Sequence, residues 1–205
     1  GVNTDVFTPH PTKGTGSIVL LASRMLWNKG IGEFVQAVRL LRRRGSGARF
    51  VLVGRCDEDN PARVPREQLI QWNEEGVIEW WGHRDDMPAI LSSASVVVLP
   101  TYYGEGVPKV LLEAAACGAA IVATDIPGCR EIVRHRVNGL LVPPKDVAAL
   151  VEAIESLLHD DQLRHALEKE GREIATKEFS VQIIAAEFLS LYRELLNRTK
   201  RAPCC

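Results

Sequence analysis

The sequence predicts an α/β protein centred on a parallel sheet of about six strands with helices on both faces. Three observations carry that expectation. Six short apolar runs alternate with helix-period patterns along most of the chain, as repeated strand–helix units require. Runs such as Ser17-Ile18-Val19-Leu20-Leu21-Ala22 and Val96-Val97-Val98-Leu99 lack the polar alternation of a half-exposed strand, so both of their faces are covered. Glycines and charged residues follow most of the runs, at the strand ends where an open parallel sheet gathers its ligand crevice.

Taken in order, Ile18 to Ala22 is the first strand, and Arg24-Met25-Leu26-Trp27-Asn28-Lys29-Gly30 leads from it into a helix. Ile31, Phe34, Val35, Val38 and Leu41 recur three or four residues apart and give that helix one buried stripe. Arg42-Arg43-Arg44 complements the dipole at its end and is expected to face water. Phe50 to Val53 is the second strand and Val77 to Trp81 the third, with Trp80 and Trp81 expected mostly in the core. Asp85-Asp86 is expected to cap a helix containing Met87, Ile90 and Leu91. Val96 to Leu99 is the fourth strand, followed by a glycine-bearing turn and a helix with Pro108 in its first turn, where a missing N–H costs nothing. Ala120 to Ala123 is the fifth; Pro127-Gly128 precedes a helix at Arg130 to His135, and Asn138-Gly139 turns into the sixth, Leu140 to Val142. Beyond Pro143-Pro144 only helices follow, marked by Val147 to Leu158, Leu163 to Ala175 and Ile184 to Leu195.

Composition excludes several classes. Lysine and arginine number 25 against 26 aspartates and glutamates, a net charge of -1, which supplies no diffuse attraction to nucleic acid or an anionic membrane. Anion binding must then be local. No apolar run approaches bilayer-spanning length, and Gly1-Val2-Asn3-Thr4-Asp5 has neither a basic nor an apolar leader region, so a soluble chain is expected. Five cysteines without metal-like spacing point to a reducing compartment. Cys129 beside Arg130 reads as a buried thiol in preference to a nucleophile, and Cys204-Cys205 carry no readable role.

Chemistry concentrates in Tyr102-Tyr103-Gly104-Glu105-Gly106-Val107-Pro108-Lys109-Val110-Leu111-Leu112-Glu113. Gly104 and Gly106 allow backbone to approach a ligand, the turn and helix start offer N–H groups to an anion, and Glu105 and Glu113 are placed to hold hydroxyls. Arg24 and Lys29 flank a second strand–helix junction, where guanidinium and ammonium can grip a diphosphate. Gly54 and the Gly82-His83-Arg84 loop end two further strands. For each of these a structural alternative stands: Arg24 pairs with a nearby carboxylate, Lys29 is solvated, Lys109 pairs with Glu113, and His83 packs beneath the loop. Asp57-Glu58-Asp59 has a spacing that can hold a divalent cation, yet it lies in a polar loop without support and reads as solvated acid. Trp27 either shields the crevice or covers the helix start. A nicotinamide dehydrogenase half is excluded, because Gly14-Thr15-Gly16 comes before the first strand and no Gly-x-Gly-x-x-Gly follows one.

These blocks in this order resemble the C-terminal half of a retaining group 1 (family 4) nucleotide-sugar glycosyltransferase, the set with two Rossmann-like domains in a GT-B arrangement. The resemblance rests on Glu105-x7-Glu113, on Arg24-x4-Lys29-Gly30, and on Ala114-Ala115-Ala116-Cys117-Gly118. It rests also on Pro127-Gly128-Cys129-Arg130-Glu131 and Val137-Asn138-Gly139-Leu140-Leu141-Val142. It covers nearly the whole chain, including the opening Gly1 to Phe7. It implies an incoming segment at 1–17 from an N-terminal domain, a nucleotide-sugar-binding domain at 18–160, C-terminal helices at 161–198 and a tail at 199–205. Implied roles are Arg24 and Lys29 on the diphosphate, Glu105 near the donor sugar ring as catalytic positioner and Glu113 on the ribose hydroxyls. Gly106, Val107 and Lys109 would lie at the phosphates, Gly54 at a close backbone approach, and Gly82, His83 and Arg84 near the base. The donor is a co-substrate, leaning to uridine diphosphate, with no metal or other cofactor. The partner is the protein's own N-terminal acceptor domain, the acceptor is a glycan, a lipid-linked molecule or another hydroxyl, and the location is cytoplasmic or peripheral at the inner membrane face. Retention is compatible with same-face attack or a short-lived covalent species. Two departures stand out: Pro108 removes one turn amide, and Arg55-Cys56 replace the second glycine expected after Gly54. A non-catalytic nucleotide-sugar sensor on the same half-fold is the rival reading.

Overall fold

The computed structural model describes residues 1–10, 16–104 and 106–201, with side chains to residue 196. Its strands are β1 (Ile18–Ala22), β2 (Arg49–Val53), β3 (Glu79–Trp80), β4 (Val96–Leu99), β5 (Ala120–Thr124) and β6 (Leu140–Val142). The helices are α1 (Ile31–Arg43), α2 (Arg66–Glu74), α3 (Met87–Ser93), α4 (Lys109–Ala116), α5 (Pro127–Arg130), α6 (Val147–His159), α7 (Asp161–Glu178) and α8 (Val181–Arg201), with a 3-10 turn at Trp27–Lys29. The strands form one parallel sheet in the order β3-β2-β1-β4-β5-β6.

Strand periodicity explains the layers. Val19, Leu21, Phe50, Leu52, Val96, Val98 and Val122 point to one face, where α1, α2 and α6 cover them. Leu20, Val51, Val53, Val97, Leu99 and Ile121 point to the other, under residues from α3, α4 and α7. Each fully buried Leu, Val or Phe contributes about 1.5–3 kcal/mol. Asp146 and Asp160 cap α6 and α7, their carboxylates accepting from the Ala149 and Leu163 amides at 2.9 Å. The incoming chain is fixed as well: the Arg172 guanidinium on α7 donates to the carbonyls of Thr4 and Phe7, and to that of Ala116 at the end of α4.

Several elements differ from expectation. β3 is only two residues long, because it is an edge strand paired to β2 alone. Trp80 and Trp81 are only partly buried; their indole N–H groups donate to the Gly54 carbonyl and to Glu79, and Arg66 and Arg49 stack on their faces. Pro108 occupies the N-cap of α4 with extended backbone, not the first turn. Asp86 occupies the N-cap of α3, yet its carboxylate binds Arg84 and caps nothing. The helix expected at Arg130 to His135 ends at Arg130 and begins at Pro127, which takes the first helical position. Arg42 is not simply solvated, lying 5.1 Å over the Phe50 ring, and Arg44 pairs with Glu155. The backbone of the segment expected as tail is helical to Arg201, while Cys204 and Cys205 lie outside the described residues, as does Gly14-Thr15. Among the described residues no helix is long and apolar enough to cross a membrane.

Two glycines set how closely the strand-end loops approach. Gly30 has φ +77, and a Cβ there would lie 2.2 Å from the Pro100 carbonyl oxygen. Gly54 has φ +148, and a Cβ would lie 1.7 Å from the Ser23 carbonyl oxygen. Gly54→Ala is therefore expected to destabilise the fold by about 3 kcal/mol, lowering the thermal midpoint by about 6–12 °C. A melting curve superimposable on the parent's would refute the close-approach argument.

Candidate functional site

The strand order reverses between β1 and β4, and the loops after β1, β2, β3 and β4 meet over that point. A cleft of about 510 Å³ is lined by Ala22, Ser23 and Arg24 from the end of β1, and by Val53, Gly54 and Arg55 from β2. His83 and Arg84 beyond β3, Met87 of α3, and Val110 and Glu113 of α4 complete it. A second depression of about 330 Å³ is lined by Arg24, Leu26, Asn28, Lys29, Asn60, Tyr103, Gly104 and Gly106. Arg24 lines both, so the two depressions adjoin at that residue and are taken together as one groove.

The floor of the groove is tied by polar bonds. The Thr124 hydroxyl donates to the Thr101 carbonyl, and the Thr101 hydroxyl donates to the Asn28 carbonyl at 3.0 Å. The Tyr102 N–H donates to that same carbonyl at 3.1 Å. The segment carrying Arg24 and Lys29 is thus fastened to the loop carrying Gly104 and Gly106. From the end of β6, Lys145 reaches over the Tyr102 ring, its ammonium 4.4 Å from the centroid, although its own backbone is left-handed (φ 62). Asn28 Oδ1 is buried and, among the described residues, has no hydrogen-bond partner.

The structure brings Arg24, Lys29, Gly54, His83, Arg84, Gly106 and Glu113 to this groove. Gly82 stands behind it, its carbonyl accepting from the Gly54 N–H at 2.8 Å. Val107 and Lys109 are exposed beside it on the same loop and helix start. Glu105 lies outside the described residues. Arg24 does pair with a carboxylate, Asp57 at 2.9 Å, and Arg84 pairs with Asp86 at 2.6 Å. Both are exposed ion pairs, screened by solvent and weak, so an incoming anion can displace the carboxylate at little cost. Asp57 is thereby engaged with Arg24, and among the described residues no group of three metal-ligating side chains gathers. His83 is exposed, 3.3 Å from Asp85. Trp27 meets Trp72 edge-on at 6.0 Å and packs beside Gly32, so it covers the start of α1 rather than the groove. Cys129 is fully buried.

Glu113 differs from the other carboxylates. It is half-buried in the cleft wall, and among the described residues its carboxylate makes no hydrogen bond or ion pair. Burial pushes its pKa up, and the nearby Lys109 charge draws it partly back. The direct Lys109–Glu113 pair allowed by the sequence is absent. Sequence reading also missed Arg55, Asn28 and Asn60 as lining residues, since none belongs to a recognisable spacing.

A family model described as Glycosyl transferases group 1 matches residues 16–160. The chain is 38% identical over 180 residues to the N,N'-diacetylbacillosaminyl-diphospho-undecaprenol alpha-1,3-N-acetylgalactosaminyltransferase of Campylobacter jejuni, covering 88% of this chain and 45% of that protein. Its fold superposes on sucrose-phosphate synthase from Thermosynechococcus elongatus with a TM-score of 0.83 and 30% identity, over 97% of this chain and 52% of that one. It superposes on the Anabaena protein HepE, solved in complex with UDP and glucose, with a TM-score of 0.79 and 23% identity, over 93% and 55% of the two chains. The fold is thus the C-terminal half of the two-domain GT-B architecture. The chain belongs to the group 1 glycosyl transferases, and it spans about half the length of the curated relatives it matches.

A raised carboxylate pKa means that ionising Glu113 disfavours the folded state: stability present below the ordinary carboxylate pKa is lost as pH rises through the folded value. Glu113→Gln removes that loss. Its thermal midpoint is expected to match the parent at pH 4 and exceed it at pH 7; a variant that melts lower at pH 7 would contradict the assignment.

Proposed function

We propose that this chain is the donor-binding half of a retaining glycosyltransferase that transfers a sugar from a nucleotide diphosphate sugar, UDP-linked, to a hydroxyl acceptor. The observation that carries this reading is the single groove in which Arg24 and Lys29 face the Gly104–Gly106 loop while Glu113 lines the adjoining cleft. The diphosphate lies at Arg24 and Lys29, the ribose hydroxyls at Glu113, the base toward Gly82, His83 and Arg84, and the donor sugar at Glu105. Two adjoining depressions of about 510 and 330 Å³ that share Arg24 support a ligand of two parts bridged at that cation.

Chemically, departure of the nucleoside diphosphate builds charge on phosphate oxygens. Two cations fixed at the crevice, with the turn amides of Gly106 and Val107, stabilise that charge without reorganising, each donor contributing about 3 kcal/mol. Pro108 has no N–H to add, and the exposed Lys109 ammonium supplies charge in its place. The unpartnered Glu113 carboxylate accepts from vicinal hydroxyls and so regains the solvation that burial removed. Glu105 positions the sugar ring, and no metal or other cofactor takes part.

The HepE complex with UDP and glucose supports a uridine diphosphate donor. The name of the Campylobacter relative supports an N-acetylhexosamine or hexose as the sugar and a lipid-linked glycan as the acceptor. The acceptor is bound by an N-terminal domain of similar size, and the enzyme works at the cytoplasmic side of a membrane. Residues 1–17 lead in from that domain, 18–160 bind the donor, and 161–198 form the C-terminal helices that follow it.

The test is a titration of this chain with UDP, GDP and ADP sugars, followed by transfer assays on the full-length protein. Lys29→Ala is expected to weaken the tightest ligand by about a hundredfold, and unchanged affinity would refute the phosphate assignment. Glu105→Gln is expected to lower transfer about a hundredfold with nucleotide affinity retained. Donor binding without transfer across a panel of acceptors would favour a non-catalytic sensor.

A further inference from the structure

Arg55 directly follows Gly54 at the end of β2, in the stretch where the second glycine of the usual Gly-x-Gly is absent. Its backbone is pinned on both sides. The Gly54 N–H donates to the Gly82 carbonyl at 2.8 Å, and the Arg55 carbonyl accepts from the Met25 N–H at 3.1 Å. The side chain is exposed and lines the 510 Å³ cleft, but not the depression that holds Lys29 and the glycine loop.

That cleft has four planar cationic or imidazole groups: Arg24, Arg55, His83 and Arg84. Arg24 is held by Asp57, Arg84 by Asp86, and His83 stands beside Asp85. The Arg55 guanidinium has no hydrogen bond, ion pair or ring contact among the described residues. Ala22, Val53, Met87 and Val110 supply an apolar lining, and no Phe, Tyr or Trp is present to stack on a flat ligand. A guanidinium is weakly hydrated and stacks readily on π faces, which an ammonium does less well.

We infer that Arg55 is a further donor-binding residue, laying its guanidinium plane on the nucleobase at the nucleoside side of Arg24. This rests on the nucleotide-sugar reading above. Arg24 marks the diphosphate because it is common to both depressions, so a group confined to the larger one faces the nucleoside. Stacking is tolerant of base identity, so Arg55 adds affinity to any nucleotide that fits and leaves base choice to the loop at Gly82, His83 and Arg84.

The experiment is calorimetric titration of the parent chain with UDP, GDP and ADP, then of Arg55→Ala and Arg55→Lys with the nucleoside, monophosphate and diphosphate of the tightest base. Circular dichroism and melting establish that each variant is folded. Arg55→Ala is expected to weaken all three ligands by the same factor, about tenfold, and Arg55→Lys to recover little of it. Arg24→Ala, by contrast, is expected to weaken the diphosphate and spare the nucleoside. If Arg55→Ala binds all three as the parent does, the inference fails while the nucleotide reading stands. If Arg55→Lys restores full affinity, or the loss is confined to the diphosphate, the contact is charge on phosphate and stacking is overturned. A parent chain that binds none of the three diphosphates removes the nucleotide reading and this inference with it.

Discussion

The Asn28 carbonyl oxygen, accepting at once from the Thr101 hydroxyl and the Tyr102 amide, holds the crevice together. Its two donors lie just beyond β4, and the acceptor lies just beyond β1, on the two sides of the point where the strand order reverses. A parallel sheet brings strand ends together but leaves the loops beyond them unspecified. Here buried hydrogen bonds specify them, and each is strengthened by the dry surroundings of Thr101 and Thr124. Through these bonds the rigidity of the sheet passes into the loops that bear Arg24, Lys29 and Gly104 to Gly106.

The electrostatics of the groove follow from that rigidity. Arg24 and Arg84 in the larger cleft are satisfied by local carboxylates in exposed pairs, weak enough to exchange. Glu113, half-buried in the cleft wall, makes no hydrogen bond among the described residues, and burial raises its proton affinity. Leaving that carboxylate in the cleft wall without a hydrogen bond costs stability, because burial penalises its charged form.

Much of the fold was legible because the apolar runs are short and sharply bounded. Ile18–Ala22, Val96–Leu99 and Leu140–Val142 are strands over the same residues that their sequence marks. α2 was not recognised, since only Leu69 and Trp72 of its nine residues are buried and its stripe is too sparse to read. The helix after β5 was misplaced because Pro127 starts it instead of preceding it. In the site, motif spacing located Arg24, Lys29, Gly54 and Glu113. It did not locate Arg55, whose place depends on where β2 ends relative to β3. Nor could it assign Asp57 to Arg24, a partnership across 33 residues that only the folded loops bring about.

Gly30 and Gly54 leave carbonyl oxygens standing where any side chain would have to go. No rotamer choice or distant repacking relieves such an overlap, so neither position is free to drift. Arg55, one residue further along, is open to replacement, because among the described residues no hydrogen bond, ion pair or ring contact holds its exposed side chain. The two glycines therefore hold the backbone frame of the groove in place, while an exposed lining position such as Arg55 can change without disturbing it.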